Sequence, residues 1–229
     1  MCGRFAQFSD NIPPRFRPKR NSGELWFSFN YAPSQKIKAV LNTPEGPELR
    51  LIRWGLITSW TEKLGRDLIN VRRETLAEKH TFETMLKNGR CLIFADGFFE
   101  WRKTGRKKQP WFIRLKQGHP MAFAGLWHTH TDAKKGVVET CAIITTTPNA
   151  LMLPIHDRMP AILPEGAWDA WLDTDRFDKA SLLSLLEPYP AEDMECWPVS
   201  PRVNSPDQND EELIRRTKED LPDEEPGLF

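Results

Sequence analysis

Cys91-Leu92-Ile93-Phe94-Ala95-Asp96-Gly97-Phe98-Phe99-Glu100-Trp101 is the stretch on which the fold turns. Its five consecutive apolar residues predict a strand buried on both faces. Asp96-Gly97 predicts a turn, and Phe98 opens a returning strand. Glu100 is the anomaly, a carboxylate among aromatic side chains. On the C-terminal side, residues 103–108 with Gly105 read as a solvated hairpin tip and 111–115 as the partner strand. Residues 121–127 and 137–146 continue the sheet pattern. On the N-terminal side, 74–87 predicts a helix with Phe82, Met85 and Leu86 on one face and a stop at Asn88-Gly89. Before it, 68–72 is a short apolar run whose Asn70 and Arg72 project from one strand face. Strands are expected at 36–41 and 49–54, and a proline-interrupted loop over 9–23.

Downstream, Pro148 fits the first turn of a helix over 149–153, two helices follow at 165–172 and 178–186, and 196–200 reads as the last strand. No regular βαβ rhythm links these elements. The expected fold is therefore α+β, one domain around a mainly antiparallel, barrel-like sheet with peripheral helices. It covers residues 1–204. The acidic, proline-punctuated remainder, 205–229, is expected to be loosely packed or disordered.

Composition narrows the class. The chain of 229 residues can bury one substantial core, and its 39% hydrophobic and 28% charged residues are those of a soluble globular protein. No run of about 18 apolar residues predicts a membrane span, and no apolar leader follows Met1. Four singly spaced cysteines without a CxxC argue against zinc and for a reducing compartment, so the expected location is cytoplasmic. Net charge is zero, but residues 1–110 carry 21 Lys+Arg against 11 Asp+Glu, and the remainder reverses that balance. A basic half could favour a polyanion, whereas a neutral total gives no long-range reason to bind one. His128-Thr129-His130 could suggest a metal pair, but without a cysteine or carboxylate cluster a solvated loop is the simpler reading. Neither a metal nor a cofactor is expected.

The chain opens Met1-Cys2-Gly3-Arg4-Phe5. If Met1 is removed, Cys2 carries a thiol and a free α-amine on adjacent carbons. With ordinary values of about 8.5 and about 7.7 to 8.0, both groups are partly in reactive form near neutrality. An aldehyde meeting them can form a Schiff base that the thiol closes to a thiazolidine. A buried, inert cysteine is the competing reading. His156 lies in Pro154-Ile155-His156-Asp157-Arg158-Met159-Pro160, polar chemistry held between two prolines, and its ordinary pKa lies nearest neutrality. It competes with a satisfied loop histidine, as Glu100 does with an outward-facing strand carboxylate. Arg72 and Arg158 compete with ion-pair roles toward Glu74 and Asp157.

MCGRF at 1–5, NYAPSQ at 30–35, WGLITSW at 54–60, NVRRET at 70–75, CLIFADGFFEW at 91–101, KQPWFI at 108–113, AGLW at 124–127, IHDRMP at 155–160 and WPVSPRVN at 197–204 together resemble one family. It is the SOS-response-associated peptidase (SRAP) domain, the abasic-site processing proteins that crosslink to damaged single-stranded DNA. The pieces run in the family's order. Phe94 stands where the family often has proline and Val71 where it often has alanine. The resemblance implies a barrel-like α+β fold, loss of Met1, and attack by Cys2 on the ring-opened aldehyde of an abasic site. It also implies that Asn70 positions the sugar and the N-terminal residue, that Glu100 is the catalytic glutamate, and that His156 assists ring opening. Arg4, Arg72 and Arg158 match arginines that hold DNA phosphates. Trp60 and the NYAP loop are candidates for a wedge against the bases.

Three functions compete at this point. One is a monomeric DNA-repair protein that shields abasic sites in single-stranded DNA as a covalent complex, with lyase-like cleavage as a side path, acting at the nucleoid when bound. The second is an N-terminal-nucleophile cysteine peptidase or amidohydrolase. The third is a non-covalent binder of modified DNA.

Overall fold

The computed structural model describes residues 2–10, 12–16, 27–43, 45–63, 65, 67–132 and 136–218. Its strands are β1 (Arg4–Gln7), β2 (Ser28–Tyr31), β3 (Lys36–Thr43), β4 (Gly46–Trp54), β5 (Asn70–Arg72), β6 (Arg90–Ala95), β7 (Gly97–Thr104), β8 (Lys107–Leu115), β9 (Met121–Asp132), β10 (Gly136–Thr146), β11 (Met159–Pro160) and β12 (Met194–Pro198). The helices are α1 (Ser59–Lys63), α2 (Arg73–Glu78), α3 (Glu83–Asn88), α4 (Trp168–Leu172) and α5 (Lys179–Ser184).

The apolar run 91–95 is continuous because both of its faces are buried. Cys91, Ile93 and Ala95 join one apolar cluster, while Leu92 and Phe94 join a second. As β6 it pairs antiparallel with β3 and β9. β3 pairs with β4 and β9 with β10, both antiparallel, and β10 meets β4 in parallel, so these five strands close into a ring. Closure removes the free edges that an open sheet would expose. β5 and β11 extend β10 beyond the ring. A second, wholly antiparallel sheet has the order β12-β8-β7-β1-β2. The α+β class and the barrel-like sheet expected from the sequence are both present.

The Asp96-Gly97 turn is a corner between sheets rather than a hairpin. β7 leaves β6 and pairs with β8 and β1. A hairpin is prevented because the Asp96 carboxylate accepts from the amides of Phe8 and Ser9, at 2.6 and 2.9 Å, and from the Ser9 hydroxyl. Gly97 cannot be replaced, since a Cβ there would lie 2.3 Å from the Phe112 ring. The corner thereby seats β1 between β7 and β2.

The helix expected over 74–87 is broken. Lys79 is extended (φ −106°, ψ 118°), and a 3-10 turn at His80–Phe82 separates α2 from α3. On a continuous helix Leu76 and Phe82 would point about 120° apart; the break lets both enter the same cluster with Met85 and Leu86. Arg90, fully buried, then donates to the carbonyls of Leu86, Lys87, Trp171 and Asp173, which close the C-terminal ends of α3 and α4.

Residues 149–153 form successive turns instead of a helix. The Asn149 side chain accepts from Met152 N at 3.0 Å as an N-cap does, and Leu153 N donates to the Asn149 carbonyl at 3.0 Å, but the turn is not propagated because Pro154 brings no N–H. Residues 205–218, expected as the start of a loose tail, are packed on the second sheet. Leu213 is fully buried, Asn209 accepts from Phe29 N at 2.7 Å, and Thr217 N donates to Pro198 O at 2.9 Å. The remainder of that expected tail, and most of the expected loop at 9–23, lie outside the described residues.

Replacing Asp96 by alanine strands two backbone amides at a buried corner. At about 1.5–3 kcal/mol for each hydrogen bond to a charged group, the loss should exceed about 2 kcal/mol. Urea unfolding should show it as a lower midpoint with an unchanged slope.

Candidate active site

β1 carries Cys2 into the seam between the two sheets, because Phe5 pairs across to Phe98 on one side and Tyr31 on the other. The Cys2 side chain is fully buried, with Sγ 3.8 Å from the Arg4 carbonyl oxygen. Asn70 opens β5, whose parallel pairing with β10 fixes its direction. Its Nδ2 donates to the Cys2 carbonyl at 2.8 Å, and its buried Oδ1 has no hydrogen-bond partner among the described residues. Glu100, opposite Trp111 on β7, is 2% exposed.

His156 follows the turns 149–155, where its amide bonds to the Met152 carbonyl at 2.9 Å. Its Nε2 lies 3.9 Å from Glu100 Oε2. The Arg158 amide donates to Nδ1 at 3.0 Å, an arrangement that favours the neutral ring with its proton on Nε2, toward Glu100. Asp157, with an 84% exposed side chain, stands 3.0 Å from Nδ1 on the solvent side.

Burial sets the electrostatics. It pushes the Cys2 thiol well above the usual thiol range, and the nearby Glu100 adds to that rise. Burial also raises Glu100, with His156 partly opposing it. Burial thus disfavours the charged forms of both groups, so a reaction at the thiol needs a route for its proton, and Glu100, with His156 Nε2 3.9 Å behind it, is the group near Cys2 through which a proton could be relayed.

Of the three arginines expected to hold phosphates, only Arg72 is exposed. Arg4 donates to Asn30 Oδ1 at 2.8 Å and to the carbonyls of Val203 and Asn204 at 3.0 and 2.9 Å. Arg158 grips Glu74 with both terminal nitrogens at 2.9 Å and the Thr145 carbonyl at 2.6 Å. It holds the Glu74 carboxyl below the usual range. The ion-pair reading of Arg158 therefore describes its position, although Glu74 rather than Asp157 is its partner.

Sequence reasoning missed Asn30, which is 1% exposed and whose amide donates to the carbonyls of Val203, Ser205 and Gln208. Polar residues in a strand gave no sign of that role. A cleft of about 430 Å³ opens at Glu100 and His156, lined also by Trp101, Lys103, Lys108 and Asn204. Trp101 Nε1 donates to Asn204 Oδ1 at 2.8 Å. Elsewhere, Trp54 is core, Trp60 packs edge-on against Phe82, and His128 and His130 lie on strand β9 rather than in a loop.

A buried thiol at the second residue, a buried carboxyl and an imidazole on one seam define an α+β protein with a cysteine-centred candidate site. The family model for the SOS response associated peptidase (SRAP) matches residues 1–206, and the chain belongs to that family. It is 45% identical over 221 residues to the abasic site processing protein YoqW of Bacillus subtilis, covering 93% of this chain and 99% of that one. It is 32% identical over 226 residues to the abasic site processing protein YedK of Escherichia coli, covering 94% and 99%. Identity to the abasic site processing protein HMCES of Gallus gallus is 32% over 217 residues, 83% of this chain and 64% of the other. A crystal structure of a Bacteroides thetaiotaomicron protein superposes with a TM-score of 0.73 at 29% identity, covering 83% of this chain and 86% of the other.

Glu100 gives a pH prediction. Its folded-state pKa lies above the ordinary 4.5, so between those values the native state binds more protons than the unfolded chain. Stability is therefore lost as pH rises through that window, and the penalty persists in full above it. Glu100→Gln removes the titration and should gain stability relative to wild type as pH rises from below 4.5 to neutrality. Urea midpoints across that range check this; a difference that does not grow with pH counts against a buried neutral carboxyl.

Proposed function

We propose that this protein processes abasic sites in single-stranded DNA, capturing them covalently through Cys2 once Met1 has been removed. The observation that carries the reading is the convergence of Cys2, Asn70, Glu100 and His156 from four separate segments onto one seam. The relatives' names, abasic site processing protein, support the abasic-site part of this reading.

Hydrolysis of the Met1–Cys2 bond leaves the Cys2 α-amine. His156, beside Glu100 at the cleft, assists opening of the closed deoxyribose to its aldehyde. The amine adds to C1′ and water leaves, giving an imine. Sγ then adds to the imine carbon while the thiol proton passes, through Glu100, to nitrogen, and the five-membered thiazolidine is closed. Asn70 holds the Cys2 carbonyl with Nδ2 and offers Oδ1 to the amine or to a sugar hydroxyl. Arg72, exposed at the end of β5, takes a phosphate. Because the lesion has no base, recognition rests on sugar and phosphate. If β-elimination overtakes thiol addition, the strand is cut on the 3′ side, a lyase-like outcome. The protein acts as a monomer in the cytoplasm, at the nucleoid when bound to DNA.

Intact-mass analysis before and after incubation with single-stranded DNA carrying one abasic site tests the whole scheme. The expected result is a protein lacking Met1 and a heat-stable adduct mapped to Cys2. Cys2→Ser should lose at least about 100-fold of that adduct, because the Schiff base then has no thiol to trap it. An undiminished stable adduct in this variant, or no adduct with wild-type protein lacking Met1, would sink the mechanism and favour the amidohydrolase or non-covalent alternatives.

A further inference from the structure

The hairpin formed by β7 and β8 carries Arg102, Lys103, Arg106, Lys107 and Lys108 and no acidic residue over 102–108. The strand register places Lys103 directly opposite Lys108. Directly opposed side chains in an antiparallel pair have Cβ atoms about 4.5–5.5 Å apart, and like charges there destabilise the pair. Both lysines are exposed, and among the described residues no carboxylate bridges to Lys103, Arg106, Lys107 or Lys108. A solvated tip has no need to set two cations face to face, so the register is a local conflict of the kind that marks a site waiting for its ligand.

Its position says which ligand. Lys103 and Lys108 line the cleft that opens at Glu100 and His156. Among the described residues that line that cleft the carboxyl is Glu100, which is buried, and burial favours its neutral form. Beside the pair, the Arg102 guanidinium lies over the Trp111 ring at 5.0 Å. Meanwhile Arg4 and Arg158 spend their donors on Asn30, Glu74 and backbone carbonyls, which leaves a polyanion fewer free cations at the seam than the sequence promised.

We propose that the Lys103–Lys108 pair is a phosphodiester subsite that holds the backbone of single-stranded DNA as it leaves the Cys2–Glu100–His156 seam. The inference rests on the DNA-processing reading above. An incoming phosphate cancels the cross-strand repulsion, so binding gains the attraction and loses the strain together. Arg106 and Lys107 at the hairpin tip continue the positive track outward.

The test uses undamaged single-stranded DNA of about 20 nucleotides, so that no covalent step intervenes, titrated between 50 and 200 mM salt. With a slope of about 0.7 per cation for single strands, the Lys103→Gln/Lys108→Gln variant should flatten the plot of log affinity against log salt by about 1.4, equivalent to about 25-fold weaker binding at 0.1 M. Its thermal midpoint should equal or exceed that of wild type, because repulsion has been removed. The Lys103→Arg/Lys108→Arg variant should restore the wild-type slope. A double glutamine variant with wild-type slope and affinity overturns the subsite while leaving adduct formation at Cys2 untouched. Weakened binding that tracks a fallen midpoint, or equal binding and equal loss with polyglutamate, also overturns it. A wild-type protein with no salt-dependent binding and no adduct would instead fail the parent reading.

Discussion

Phe5 is wedged among Tyr31, Trp54 and Phe123, with ring centroids 5.3, 5.1 and 6.1 Å away, and the site depends on that contact. Tyr31 belongs to the second sheet and Trp54 and Phe123 to the closed ring, so one side chain joins both layers to the strand that starts two residues after Cys2. Burial of such a ring is worth about 3–5 kcal/mol in large-to-small substitutions. A chain terminus ordinarily frays. Here packing behind it, the Asp96 corner beside it and the Asn70 amide on the Cys2 carbonyl fix the terminus from three directions.

The chemistry inherits this rigidity. Asn70 is registered on β10 through β5, and β10 also pairs with β11, three residues after His156, so Asn70, the Cys2 carbonyl it holds and His156 are referred to one strand. Glu100 reaches them from the other sheet. Burying a thiol and a carboxyl together raises the pKa of both, because burial disfavours their charged forms.

Much of this was legible in the residues, for identifiable reasons. The strands at 36–41, 91–95, 111–115, 121–127 and 137–146 announced themselves through apolar or alternating runs. Glu100 stood out as a carboxylate among aromatics, and Asn70 as one face of a short strand. Which strands close the ring was not legible, because the β10–β4 contact is parallel and joins residues far apart in sequence. The corner at Asp96 looked like a hairpin because only the fold shows that the carboxylate is spent on Phe8 and Ser9. Arg4 and Arg158 have the same limitation: a cation in a motif does not say whether its fork faces solvent or Asn30 and Glu74. The opposition of Lys103 to Lys108 needs a register, and composition supplies none.

The second sheet, unlike the ring, ends in two edge strands, β2 and β12. Both are covered by the chain that follows residue 200: Asn209 takes the Phe29 amide, Thr217 takes the Pro198 carbonyl, and Trp197 Nε1 donates to the Ile214 carbonyl. Naked edges are templates for pairing with other chains. The family match closes at residue 206, before the contacts at 209, 214 and 217. Residues 209–217 thus cover both edges, and a protein trimmed to the family boundary would keep Cys2, Asn70, Glu100 and His156 while losing the cover that hides its strand edges from other chains.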